Sequence, residues 1–321
     1  MSQAYSEFRK LMNLGKYSEA ARYAEREQLD GSGQNVFWLT QQAVALIRSS
    51  EYESALKVSE EALAMDGANP YAVIASADAL FGLDRPDEAL NYYKDTLKFD
   101  RLSQRSQRGV LECLSKLKNW QEMLLNISTW EMAEQDKYRY RVKALAALGR
   151  HDEAIEECNK WLQLQPHNYN ALWELTELEI RRDGLDSVVG KMGKMARIPS
   201  LPPIYKEIYA SLCRKAGRPD EAIKAYSKIE AGGANLRIQQ KTAFTLAKTG
   251  REREAIPMLE ELLRAEPGNK YLRSSFEAAC GRIGETEGAI NFYNRLLGLF
   301  PEERSLYGRI KRLNARLEKM Q

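Results

Sequence analysis

Between residues 138 and 148 the apolar side chains Tyr138, Val142, Leu145 and Leu148 recur three or four positions apart, with polar residues filling most of the gaps. That spacing places them along one face of a helix. Gly149 follows, a residue that adopts the left-handed conformation ending many helices without a Cβ penalty. Asp152 and Glu153 then open a second helix, where carboxylates favour the positive end of the helix dipole. Ala154, Cys158, Trp161 and Leu162 form its apolar face, and Pro166 ends it. Residues 138–166 therefore predict two helices joined by a tight turn.

The same pattern returns along the chain. A glycine stands five residues before an alanine at Gly15/Ala20, Gly149/Ala154, Gly217/Ala222, Gly250/Ala255 and Gly284/Ala289. Ser50/Ala55 and Asp84/Ala89 keep the alanine and lose the glycine, while Met123 and Val188 occupy the two remaining anchor positions. A period of about 34 residues indicates a stacked array in which each unit buries its apolar face against its neighbours. The alanines are small because two helices cross closely there. Pro86 and Pro219 open second helices, where a missing N–H costs little, and Pro267 and Pro301 end them as Pro166 does.

These residues resemble the tetratricopeptide repeat family. The resemblance rests on the Gly-x-x-x-x-Ala turn, on small residues twelve positions before the anchor (Ala43, Ala77, Ala210, Ala243), on bulky ones four after it (Tyr93, Tyr226, Tyr293), and on the terminal prolines. It covers essentially the whole chain as nine tandem repeats. The family implies an all-α fold, a right-handed superhelical α-solenoid of stacked antiparallel helix pairs, whose first helices line a concave groove.

Two repeats depart from the pattern. The fourth has Lys118, Asn119 and Trp120 at its turn and Met123 at its anchor. The sixth carries Gly190 and Gly193 within its second helix, each costing about 1 kcal/mol relative to alanine. Pro199, Pro202 and Pro203 follow. The expected organisation is an N-terminal stack over 1–182, an irregular hinge over 183–203, a C-terminal stack over 204–301 and a capping helix over 302–321. The cap reads as one apolar stripe, Leu306, Ile310, Leu313 and Leu317, on an otherwise polar and mainly basic segment that includes Arg304, Arg309, Lys311, Arg312, Arg316 and Lys319. Terminal repeats need such a polar-backed end.

Composition narrows the function. The formal net charge of +3 is weak for a dedicated nucleic-acid binder. The first residues lack a basic segment followed by an apolar run, and no apolar stretch is long enough for a membrane span, so a cytoplasmic protein is expected. Cys113, Cys158, Cys213 and Cys280 are widely separated and form no metal-ligand motif. The two histidines, His151 and His167, fall at turns, and no nucleophile, phosphate-loop or zinc-protease motif is present. The expectation is a non-enzyme with no cofactor and no metal.

A binding surface is then the remaining place for function. The register puts the positions 18, 15, 11, 8 and 7 residues before each anchor on the groove. Thirteen basic residues against five acidic ones (Asp78, Glu112, Asp136, Glu177, Glu207) fall at those positions, a far stronger bias than the whole chain shows. Aromatic residues are interleaved, Trp173 and Phe244 among them. The predicted peptide-binding residues are Arg105, Arg108, Arg139, Lys143, Trp173, Arg181, Arg214, Arg237, Phe244 and Lys248. A positive surface with exposed rings fits an extended acidic peptide or protein segment, held by a scaffold or a co-chaperone-like adaptor. Two other readings compete: a pentatricopeptide-like RNA-binding array, for which only the turn at 212–222 speaks, and a regulatory subunit of an enzyme complex. A homo-oligomer is compatible with the same surface; nucleic acid is disfavoured as a partner.

Overall fold

A computed structural model of the protein describes residues 3–30, 36–230 and 235–318. Met1, Ser2 and the Lys319 assigned to the cap lie outside the described residues. All regular structure among the described residues is helical. The chain divides into two compact units, Met1–Trp161 and Leu162–Gln321.

The first unit contains α1 (Gln3–Asn13), α2 (Tyr17–Asp30), α3 (Val36–Arg48), α4 (Tyr52–Met65), α5 (Pro70–Gly82), α6 (Pro86–Thr96), α7 (Asp100–Lys116), α8 (Trp120–Thr129) and α9 (Glu134–Ala147), and most of α10 (His151–Leu164). The second contains α11 (Tyr169–Asp183), α12 (Leu185–Ala196), α13 (Pro203–Lys215), α14 (Pro219–Glu230), α15 (Leu236–Lys248), α16 (Glu252–Ala265), α17 (Lys270–Arg282), α18 (Thr286–Leu299) and α19 (Ser305–Glu318). Odd-numbered helices are the first members of the pairs, and those of successive repeats also touch each other, as α3 touches α5, α5 touches α7 and α15 touches α17.

The turn within a pair has a common hydrogen-bond pattern. At the end of α9, Arg150 N–H donates to the Leu145 carbonyl at 2.9 Å and Gly149 N–H to that of Ala146 at 3.2 Å. This closes the helix with one left-handed residue, Gly149, at φ 75°. The three turns without glycine keep the same conformation, with Ser50, Asp84 and Lys118 at φ 65°, 60° and 57°. The stack therefore imposes the turn on residues that disfavour it. The sixth repeat differs: Gly184 alone joins α11 to α12, at φ 84° and ψ 156°, a region essentially reserved for glycine.

The anchor alanines Ala20, Ala55, Ala89, Ala154, Ala222, Ala255 and Ala289 are fully buried. Met123 and Val188 are buried in the equivalent places. Asparagine caps many first helices: Asn69, Asn168, Asn235 and Asn269 each accept backbone N–H bonds through the side-chain oxygen. One detail differs from the simple stripe. Tyr140, not Tyr138, is the buried tyrosine of α9. A first helix packs on two neighbours, so its buried surface is wider than one stripe.

Residues 183–203 comprise the end of α11, Gly184, α12 and a turn rich in proline. Val188, Val189 and Met192 of α12 are buried against Tyr205 and Ile208. A Cβ at Gly193 would meet the Tyr209 ring at 2.9 Å, so this glycine admits the tyrosine. At the C-terminus, Leu306 and Leu313 of α19 are buried in the same cluster as Phe292 and Leu296 of α18. Arg273 is buried there and donates to the Pro267 carbonyl, to Ser305 Oγ at 2.5 Å and to Glu303 Oε2 at 2.7 Å.

Candidate functional site

In the first unit the predicted cations are engaged. Arg105 of α7 pairs with Asp78 of α5, which also accepts a 2.5 Å hydrogen bond from the Tyr93 hydroxyl. Arg108 meets Asp136 of α9 at 3.1 Å. Glu112 of α7 gathers three donors: Arg139 at 3.1 Å, Lys143 at 3.7 Å and the Tyr140 hydroxyl at 2.9 Å. Each carboxylate stitches a base of an adjacent repeat to its own. Burial, and then the carboxylate beside each, pushes the Tyr93 and Tyr140 hydroxyls well above their ordinary values, so both stay protonated donors.

The second unit continues the ladder only in part. Lys215 meets Glu177 at 2.8 Å, and Arg282 meets Glu252 at 2.5 Å. Glu207, a buried carboxylate, accepts from Arg237 at 2.5 Å and Lys241 at 2.7 Å. Arg181, Arg214 and Lys248 make no ion pair with any described residue. Of the thirteen groove cations counted in the sequence, eight are paired: Arg105, Arg108, Lys116, Arg139, Lys143, Lys215, Arg237 and Arg282. Five of their carboxylate partners were already counted against the excess, and Asp84 and Glu252, outside the counted positions, lower it further.

Arg214 and Lys248 border a cleft of about 660 Å³ among α11, α13 and α15. Tyr169 and Trp173 form one wall, their rings parallel and 6.3 Å apart. Ser211, Lys215, Lys241, Thr245 and Thr249 complete the polar lining with Glu177. The Arg237 guanidinium lies 5.4 Å from the Tyr169 ring centre. The cleft therefore joins flat apolar surface to two cations with no carboxylate of their own.

The predicted residues thus separate into groups. Trp173, Arg214 and Lys248 share the cleft. Arg105, Arg108, Arg139 and Lys143 belong to the ion-pair ladder of the first unit. Arg237 binds Glu207, Arg181 is exposed on α11, and Phe244 is half-buried against the C-terminal core. The sequence reading missed Tyr169 and Lys241, which stand one residue outside the counted offsets of 18 and 15. Helical geometry allows a face one residue wider, and that was the available signal.

The reactive side chains are held in the core. All four cysteines are buried and none is disulfide-bonded among the described residues. Burial pushes the Cys113 and Cys280 thiols up to about 12, which keeps them from acting as thiolate nucleophiles at neutral pH. Among the described residues, no group of three His, Cys, Asp or Glu side chains is placed to hold a metal ion, and no helix is long and apolar enough to cross a membrane.

Comparison with known proteins agrees with the architecture. The family model described as Tetratricopeptide repeat matches residues 46–108, from the end of α3 into α7. A tetratricopeptide repeat protein from Parabacteroides merdae superposes with a TM-score of 0.53 at 15% identity, over 76% of this chain and 100% of that one. The C-terminal part of a repeat-containing protein from Cytophaga hutchinsonii gives 0.49 at 14% identity, over 84% of this chain and 98% of that one. No curated protein sequence matches significantly.

Proposed function

We propose that this chain, whose residues 46–108 match a tetratricopeptide repeat model, is a non-catalytic interaction scaffold that holds an extended acidic segment of a partner against its first helices. The cleft at Trp173, Arg214 and Lys248 is the anchoring point. One observation carries this reading: Arg214 and Lys248 lack carboxylate partners among the described residues beside two parallel rings, on a face where most other cations are paired. Acidic side chains of a partner would complete their charge, and apolar ones would cover Tyr169 and Trp173. The cations of the first unit hold the stack in register and contribute less to the partner.

A labelled peptide alternating Glu with Leu tests the reading by fluorescence anisotropy, with Gln replacing Glu in the comparison peptide. The acidic peptide is expected to bind at least about tenfold tighter at low salt, and to lose that advantage as salt screens the charges. Equal affinity for the two peptides rejects the acidic partner. Tighter binding of single-stranded RNA than of the acidic peptide would favour the nucleic-acid alternative.

A further inference from the structure

The second unit contains another charged cavity, of about 190 Å³, among α12, α13 and α14. Its lining includes Arg197 just past the end of α12, Lys206 on α13, and Lys224 and Lys228 on α14. None of the four makes an ion pair or a side-chain hydrogen bond with a described residue. The sole carboxylate in the lining, Glu221, accepts a 2.6 Å hydrogen bond from the Tyr209 hydroxyl. Four cations therefore face one carboxylate, a net charge of +3 in a space of a few water molecules' width.

The like charges of this cluster repel one another in the free protein. Lys224 and Lys228 are a like-charged pair one helical turn apart, which disfavours the helix carrying them. Two further cations from neighbouring helices add to the repulsion. The C-terminal ends of α12 and α14 offset part of it, for Arg197 and Lys228 respectively. Packing does not call for the cluster, since the apolar contacts of α12–α14 lie in the core beneath. Gly193 leaves room for Tyr209 to lie against α12, which shapes the cavity wall.

We propose that this cavity binds a small anion bearing two phosphate groups, either free or as a lipid headgroup. Each phosphate ester carries about 1.5 to 2 negative charges at neutral pH, so two together balance the cavity's excess. Phosphate oxygens also accept the several N–H donors that lysine and arginine offer. The site is separate from the cleft at Trp173 and shares no lining residue with it.

The test uses the full chain. Inorganic pyrophosphate is titrated by calorimetry at low salt into wild type, Lys224→Glu/Lys228→Glu, and the control Arg253→Glu/Lys311→Glu, which reverses two exposed charges elsewhere. The cavity variant is expected to bind at least about tenfold more weakly, and the control within about twofold of wild type. The milder Lys206→Gln variant should weaken binding about threefold, guarding against misfolding of the double variant. Phosphatidylcholine vesicles with and without phosphatidylinositol bisphosphate separate the sources. Sedimentation with the bisphosphate vesicles alone, lost in the cavity variant, assigns a lipid headgroup; pyrophosphate binding without sedimentation assigns a free anion. Wild type binding neither probe, or the control losing as much affinity as the cavity variant, overturns the proposal.

Discussion

The first helices of the two units carry similar numbers of cations and use them differently. In the unit Met1–Trp161, Arg105, Arg108, Arg139 and Lys143 all have carboxylate partners on adjacent repeats. In the unit Leu162–Gln321, Arg214 and Lys248 have none among the described residues and border the cleft with Tyr169 and Trp173. A basic residue on this face is therefore either part of the protein's own ion-pair lattice or without a carboxylate among the described residues. The residue that decides between them sits about 27 to 38 positions away, on the next repeat. The turns differ as well. Three of those in the first unit place Ser50, Asp84 and Lys118 in the left-handed region, while the second unit has Gly217, Gly250 and Gly284 there.

The largest expected effect tests whether the first unit's ladder is structural. Glu112→Ala leaves the buried Tyr140 hydroxyl without its acceptor and two cations without theirs, and should lower stability by about 2 kcal/mol in urea unfolding. Adding Tyr140→Phe removes the orphaned hydroxyl and should recover about half of that loss. A neutral Glu112→Ala would show that the ladder of the first unit does not support its stability. A smaller effect sharpens the contrast between turns. Lys118→Gly relieves a non-glycine left-handed residue and should raise the unfolding midpoint, by about 1 kcal/mol in stability. Gly217→Ala introduces the same strain into the second unit and should cost about as much. Lys118→Gly destabilising the protein would mean that its side chain contributes more than its backbone costs.

Much of the fold was legible in the sequence because one geometric demand recurs. The close helix crossing needs a small residue, so Ala154 and its equivalents announce the register, and the prolines at 86, 166, 219 and 267 mark helix ends. Position-specific charge pairing was less legible. Offsets from the anchor find residues on one face of the first helices, but they do not say that Arg105 reaches Asp78 while Arg214 meets no carboxylate among the described residues. That depends on the rotation of each pair against the next. The sixth repeat hid a second point: Gly190 and Gly193 read as weakness in a helix, whereas Gly193 is where Tyr209 packs. The flexing proposed for 183–203 is a separate matter, which hydrogen exchange across α12 addresses.

In the proposed binding mode the second unit's unpaired cations, rather than the first unit's paired ones, anchor an acidic partner. Two double variants compared on the labelled Glu–Leu peptide separate these roles. Arg214→Gln/Lys248→Gln removes the free charges; Asp78→Asn/Arg105→Gln removes one ladder pair without changing net charge. The first should weaken binding about fivefold with the melting temperature unchanged, and the second should leave affinity within about twofold. Unchanged binding by Arg214→Gln/Lys248→Gln, or a greater loss from the ladder pair, would contradict the account.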